Sequence, residues 1–293
     1  MDYFKAIQAG IDFVEDHLEE SISLASVARA GNMSQWHFQR IFKALTKETL
    51  KTYIRSRRMA LALDKLLNSE LRILDIALLA GFESQESFTR AFKGIYDMTP
   101  TEFRKQANKN LFPKKAVIDP SYVAQLSHNA QLEPEIYWQP EMTLVGLKTS
   151  LFGVDSEKNN VGEKLPALWA NFLARLDEVE QAIPGICYGT IHHHPDDPEQ
   201  LEYYAAIAVE GIADVPMGMS AVVVPEQQYA RFLHRGNPVL LNETIDYIYS
   251  NWLMNSDFNH TYGFDLEFYG LEYEDGSDQS IMYYAIPVDS KSK

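Results

Sequence analysis

Residues 34–43 read SQWHFQRIFK and residues 84–93 read SQESFTRAFK, so one ten-residue pattern occurs twice, fifty positions apart, with six positions identical. A repeat at fixed spacing identifies the structural unit before any single element is assigned. Each copy opens on a serine, Ser34 or Ser84, whose hydroxyl can accept a first-turn N–H and so start a helix. Phe38, Ile41, Phe42 and Leu45 then follow at i, i+3, i+4 and i+7, and Phe88, Ala91, Phe92 and Ile95 repeat that spacing, which predicts two core-facing stripes. Upstream, Val27-Ala28 matches Ile76-Ala77, and Gly81 supplies a tight turn. The unit is therefore short helix, turn, helix, present twice.

The outer faces carry the functional signal. Trp36, Gln39, Arg40 and Lys43 share one face of the first copy, and Glu86, Thr89, Arg90 and Lys93 the corresponding face of the second. A polar stripe on a lone helix is ordinarily just a solvated surface. Here cap, turn and outer face are duplicated together, and a helix of this kind can enter the major groove and offer Gln and Arg to base edges. Between the copies, residues 50–67 read as one helix with Leu50, Tyr53, Ile54, Met59, Leu63, Leu66 and Leu67 on its apolar side. Its length of about 27 Å suits a strut between two groove-reading helices, since successive major-groove faces recur every ~34 Å. Arg55, Arg57 and Arg58 on the strut read as solvated.

A chain of 293 residues, 46% hydrophobic and 23% charged, excludes disorder and collagen-like structure and is long enough for two domains. The net charge of -15 argues against a nucleic-acid partner only as an average. Residues 1–110 hold 16 Lys and Arg against 14 Asp and Glu, leaving +2, while the remainder holds 10 against 27, leaving -17. Asn108 to Ser121 breaks helical patterning with Pro113 and Pro120, which sets an all-helical domain over 1–110, a linker over 111–134 and an α+β domain over 135–290. With no uncharged apolar run of about 18 residues and no basic lead into one, the expectation is a cytoplasmic chain without membrane contact. One cysteine, Cys187, makes neither an intramolecular disulfide nor a thiolate metal cluster.

From Glu135 the pattern is strand, strand, helix, strand, strand, and then much the same again. The first half carries the helical stripe Leu165, Leu168, Trp169, Phe172, Leu176 and Val179, then strands at 186–193 and 202–209. Strands at 219–224 and 227–234 open the second half. Its helix starts with Asn237 as cap and Pro238 at the first position and runs Leu241, Ile245, Ile248, Trp252, before strands at 264–270 and 281–288. Alternation puts Asp265, Glu267 and Tyr269 on one strand face and Phe264, Leu266 and Phe268 on the other. His192, His193 and His194 with Asp196 and Asp197 form the one cluster of metal-ligand type, but consecutive histidines on a strand point to opposite sides. With Pro195 and Pro198 adjacent, they read as a polar hairpin loop and not a metal site. Neither a phosphate-cradling glycine loop nor a nucleophile elbow is present, so no cofactor is expected.

These residues carry a family likeness. Residues 8–106 resemble the DNA-binding domain of AraC/XylS-type transcription regulators, in the MarA, SoxS and Rob group. The likeness rests on SQWHFQRIFK, on YIRSRRMALALDKL (53–66), on DIALLAGFESQESFTRAFK (75–93) and on TPTEFRK (99–105). It implies that Trp36, Gln39 and Arg40, with Lys43, read DNA from the first helix-turn-helix, and Gln85, Thr89 and Arg90, with Lys93, from the second. Asn32 and Lys47 stand where glycine is usual, which predicts modest strain at Lys47. Glu86 stands where an uncharged contact is common and sets specificity there apart.

Residues 135–288 resemble the GyrI-like effector-binding domain, a pseudo-twofold pair of α+β halves, on DLEFYG (265–270) and YYAIPV (283–288). The two modules follow one another in Rob-like order. The resemblance implies a small-molecule cleft with Glu267 as its central carboxylate, suited to a cationic or amphipathic ligand. Tyr269, Trp169, Tyr137, Tyr204 and Tyr283 are expected to be its aromatic wall.

Together these readings describe a non-enzymatic, effector-responsive transcription regulator whose partners are promoter DNA, a small molecule and RNA polymerase. Two alternatives stand beside it. The second domain could hydrolyse small electrophiles with Glu267 as general base, or it could be a protein-binding module for gyrase or RNA polymerase.

Overall fold

The computed structural model describes residues 1–106, 115–118, 132–194, 197, 199–211 and 214–291. The chain divides into two compact units, Asp2–Pro120 and Ser121–Lys293.

The first unit is helical: α1 (Tyr3–Asp16), α2 (Leu24–Ala30), α3 (Gln35–Thr46), α4 (Leu50–Asn68), α5 (Ile73–Leu79), α6 (Gln85–Tyr96) and α7 (Pro100–Gln106). Ser34 and Ser84 cap α3 and α6, accepting the His37 and Ser87 backbone N–H groups at 3.3 and 3.1 Å. The turn before α3 holds Asn32 at φ 53°, and the turn before α6 holds Gly81 at φ 78°. Both helices end on a left-handed residue, Lys47 at φ 62° and Asp97 at φ 55°, so the strain expected at Lys47 is present and the second repeat meets the same turn with the better-tolerated Asp.

Phe38, Ile41, Phe42 and Leu45 are fully buried, as are Phe88 and Phe92. Ile95 departs from the expected stripe and is 58% exposed. Tyr96 makes the contact in its place, its ring 4.7 Å from Phe92 and 6.4 Å from Phe103 of α7. The 19 residues of α4 span about 28 Å. Its first half meets the first repeat, with Tyr53 edge-on to Phe42 at 5.3 Å, and its second half places Met59, Leu63 and Leu66 in the core of the second repeat with Ile76, Phe88 and Phe92.

Two of the strut arginines are braces and not solvated groups. Arg57 grips Glu15 of α1 through Nε and Nη2 at 2.7 and 2.9 Å, and Arg58 Nε donates to the Leu18 carbonyl at 3.1 Å. A Cβ on Gly81 would lie 2.4 Å from Arg58 Nη1 and push that guanidinium aside, while the backbone angle of φ 78° is what favours glycine at this turn. Part of the expected linker also belongs to this unit. Lys115 Nζ sits 2.8 Å from Asp12 Oδ1, the Ile118 N–H donates to Gln8 Oε1 at 3.1 Å, and Ile118 is buried. Residues 111–114 and 119–131 of that linker lie outside the described residues.

The second unit contains β1 (Glu135–Gln139), β2 (Met142–Leu151), α8 (Val161–Leu173), β3 (Ala182–His193), β4 (Leu201–Val209), β5 (Ser220–Val224) and β6 (Gln227–Arg235). It continues with α9 (Leu241–Tyr247), a π-helical turn (Ile248–Trp252), β7 (Phe258–His260), β8 (Asp265–Tyr269) and β9 (Ile281–Ser290). The strands form an antiparallel sheet in the order β1-β6-β9-β8-β3-β4-β2-β5, with β7 on β9, curled into a half-barrel with helices. The halves β2-α8-β3-β4 and β6-α9-β8-β9 meet at the central β3–β8 pair, where Cys187 faces Tyr269 and Gly189 faces Glu267. Both α8 and α9, with the π-helical turn that follows it, cover the sheet face on which these residues stand: Trp169 of α8 bonds Tyr203, Thr244 of α9 bonds His234, and Tyr249 of the turn bonds Asp265. Leu266, Phe268, Tyr204 and Tyr229 belong to the opposite, inner face of the curl. Among the described residues, no helix is long and apolar enough to cross a membrane.

Candidate nucleic-acid interface and effector site

The two repeat helices α3 and α6 share a sequence pattern but not an exposure. On α6, Gln85, Glu86, Arg90 and Lys93 are exposed and Thr89 is half-buried. On α3, Trp36 and Lys43 are half-buried, while Gln39 and Arg40 retain only 9% and 4% of their surface. Lys43 also turns its ammonium to its own helix end, donating to the Lys47 carbonyl at 2.8 Å, a favourable place for a cation. In this structure the open polar face is that of α6. Its first turn carries the acidic Glu86 and its last the basic Lys93, both in accord with the helix dipole.

In the second unit Glu267 is buried beneath α8. Its Oε2 accepts the Tyr203 hydroxyl at 2.5 Å and the Tyr269 hydroxyl at 2.7 Å. Trp169 Nε1 donates to Tyr203 Oη at 3.0 Å, and its ring meets Tyr269 edge-on at 4.6 Å. Burial pushes the Glu267 carboxyl above its ordinary range; the two hydroxyls oppose that shift, and the neighbouring Asp265 adds to it. Burial drives the phenols of Tyr203 and Tyr269 well above their usual range, so both remain donors. Tyr269 also lines a cleft of about 520 Å³, bounded by Leu176, Val179, Ile186, Cys187 and Ile207 together with the polar Asp177 and Gln181. A bulge in β3 between Ala182 and Cys187 shapes one wall. An acidic group under aromatic rings, beside a cleft of mixed apolar and polar lining that carries a second acid, Asp177, is chemistry for holding a cation with an apolar body.

Asp265, two residues earlier on the same face, is already occupied. Tyr249 and Tyr284 donate to Oδ2 at 2.8 and 2.7 Å, and His260 Nε2 lies 3.1 Å from Oδ1. Because the Tyr262 N–H donates to His260 Nδ1 at 3.0 Å, the ring proton sits on Nε2 and points at the carboxylate. Asp265 thus fixes the packing under the π-helical turn, while Glu267 reaches the cleft through its partner Tyr269, and Asp177 is the carboxylate that lines the cleft itself.

Residues 27–106 match the helix-turn-helix domain family HTH_18, and residues 132–289 match the GyrI-like small molecule binding domain family. The chain is 27% identical over 274 residues to the Right origin-binding protein of Escherichia coli (strain K12), covering 92% of this chain and 91% of that one. The Transcriptional regulator Rob of Salmonella typhimurium matches with the same identity and coverage. The Regulatory protein SoxS of Escherichia coli (strain K12) is 38% identical over 104 residues, covering 36% of this chain and 97% of its own. The chain belongs to the AraC family of DNA-binding transcription regulators and carries a GyrI-like effector-binding domain.

The regulator's six expected effector residues divide between the two sheet faces. Glu267, Tyr269 and Trp169 come together, whereas Tyr137, Tyr204 and Tyr283 pack on the inner face with Phe268 and Leu266. The hydroxyl donor that sequence reading missed is Tyr203. Tyr203 and Tyr204 are successive on β4, so alternation turns one to Glu267 and the other away, and only the strand register says which. Gly189 was missed as well; a Cβ there would stand 2.3 Å from both Glu267 Oε2 and Tyr203 Oη. A glycine in the middle of a strand is the available signal, since it marks a close approach. Of the His192–Asp197 cluster, Pro195 and Asp196 lie outside the described residues, and among the described residues no three metal-type side chains converge.

Proposed function

We propose that the regulator reads its operator through Trp36, Gln39, Arg40 and Lys43 of α3 and Gln85, Thr89, Arg90 and Lys93 of α6. In this reading a lipophilic cation in the second unit, neutralised by Glu267, biases the equilibrium between DNA-binding states. The observation that carries the effector half is the buried Glu267, served by two tyrosine hydroxyls and bordering through Tyr269 a cleft that Leu176, Val179, Ile186 and Ile207 line on its apolar side. A carboxylate held in a low-dielectric site gains more from a cation than one in water does. Ligand control requires different affinities for two arrangements of the protein, so effector and operator must be thermodynamically linked.

The relatives are regulators, which supports a binding role for Glu267 over turnover. The test is calorimetric titration of the full chain with tetraphenylphosphonium, repeated with Glu267→Gln. Binding at least tenfold weaker in the variant supports the reading; equal affinity places the cation elsewhere. Appearance of hydrolysis products from an electrophile panel, lost in the same variant, would transfer Glu267 to the general-base role.

A further inference from the structure

We infer that the inner face of the curled sheet holds a second ligand site, separate from the Glu267 cleft, which takes a carboxylate carried on a flat apolar body with Arg231 as its anchor. The registers put Thr190, Leu266, Ala285, Arg231 and Glu135 in one row across β3, β8, β9, β6 and β1, all on this face. Leu266 and Ala285 are small or compact and lie flat in the middle of the row, so the polar groups stand at its two ends.

The Arg231 guanidinium is ringed by aromatic faces, 4.9 Å from the Tyr137 ring, 5.0 Å from Tyr283 and 5.8 Å from Phe268. Tyr188, edge-on to Phe268 at 5.3 Å, joins the same wall. The arginine charge reaches both Tyr137 and Tyr188, counteracting part of the upward shift that burial imposes on their phenols. Residues from β1, β3, β6, β8 and β9 therefore converge on one cation.

Four buried polar atoms on this face have no hydrogen-bond partner among the described residues: Tyr137 Oη, Arg231 Nε, Thr190 Oγ1 and His192 Nδ1. Thr190 is completely buried. Buried polar atoms are nearly always paired in folded proteins, so orphans gathered on one face point to something that pairs them. At the arginine end the unmet groups are an Nε–H and a tyrosine hydroxyl beside a fixed positive charge, which are donors for an anion and unfavourable company for a cation. The only acid in the row is Glu135, which takes Arg231 Nη2 from the rim, with 60% of its side chain exposed. Glu202, another carboxylate on this face, is engaged by Lys148 at 2.6 Å, by the Tyr204 hydroxyl at 3.1 Å and by His192 at 3.3 Å. A ligand carboxylate can take the Arg231 fork, displace Glu135, accept from Tyr137 and lay its ring against Tyr283 and Phe268.

The probe is 2-naphthoate, titrated calorimetrically into the full chain, with neutral 2-naphthamide as its isosteric control. The site predicts one-to-one naphthoate binding, at least tenfold weaker binding of the amide, and at least tenfold loss of naphthoate affinity in Arg231→Gln. Glu135→Gln removes the competing carboxylate and is expected to tighten naphthoate severalfold. That gain is a sign no folding defect produces, so it carries the test if Arg231→Gln fails to fold. Equal binding of acid and amide, unchanged affinity in Arg231→Gln, or no gain in Glu135→Gln would each overturn the proposal. None of these outcomes bears on cation binding at Glu267, which lies on the other face.

Discussion

Gly189 faces Glu267 across the β3–β8 pair, and a Cβ on it would stand 2.3 Å from the carboxylate oxygen that the Tyr203 and Tyr269 hydroxyls share. The absence of a side chain there allows a buried acid and two phenols to close into one cluster. Gly189→Ala is therefore expected to force that cluster apart and destabilise the second unit by about 1–3 kcal/mol, the usual penalty of overpacking. Denaturant titration gives the stability, and tetraphenylphosphonium affinity is expected to fall with it. A variant that melts and binds like wild type would show that the carboxylate has room to move.

Glu267 also makes stability depend on pH in a defined direction. Its folded carboxyl is raised above the ordinary value of 4.5, so its contribution is complete below that value and is lost as pH climbs through the raised one. Glu267→Gln removes this loss. The variant is expected to be the more stable protein at neutral pH, with the advantage growing as pH rises from 4.5 and levelling off once the wild-type carboxyl has ionised. Thermal melts across that window check it. Cation affinity in wild type moves the opposite way and strengthens with pH, because the ligand needs the ionised acid.

Arg90 is the better test of DNA reading, since it is exposed whereas Arg40 is 4% exposed and its truncation would also disturb packing. Arg90→Ala is expected to weaken operator binding by about 1–3 kcal/mol and relax preference at one base pair. Measured on random DNA, the same variant should show little change. Equal losses on both would make Arg90 a phosphate contact.

Lys47 closes α3 at φ 62°, a conformation that disfavours a Cβ by roughly 1–2 kcal/mol. Lys47→Gly relieves that strain at the expense of a more flexible unfolded chain, and a net gain of a few tenths to about 1 kcal/mol is expected. The Lys43 ammonium bonds the Lys47 carbonyl and not its side chain, so the cap survives the change. A loss of stability in guanidine unfolding would show that the lysine side chain has a role of its own.

The helices of the first unit were legible because their signals are local. A capping serine, a 3.6-residue stripe and a turn residue act within a few positions, and the fifty-residue repeat states each of them twice. Ile95 was misplaced because whether a stripe's last residue touches core depends on α7, where Phe103 engages Tyr96 instead. The succession of strands and helices along the second unit was legible from alternation and periodicity for the same local reason, but their order in the sheet was not. Alternation cannot say which face meets a helix, so Tyr203 was missed beside Tyr204, and three aromatic residues expected around Glu267 belong to the other side.

By itself, the sequence determined the two helix-turn-helix units, the acidic α+β half and the strand that carries Glu267, because caps, periods and charge act over neighbouring residues. Only the tertiary structure decided that α6 is open while Arg40 is buried, that Tyr203 reaches the acid, and that Arg231 is surrounded by rings from other strands. Those relationships are set by register and packing between segments far apart in the chain, where period and composition carry no distance information.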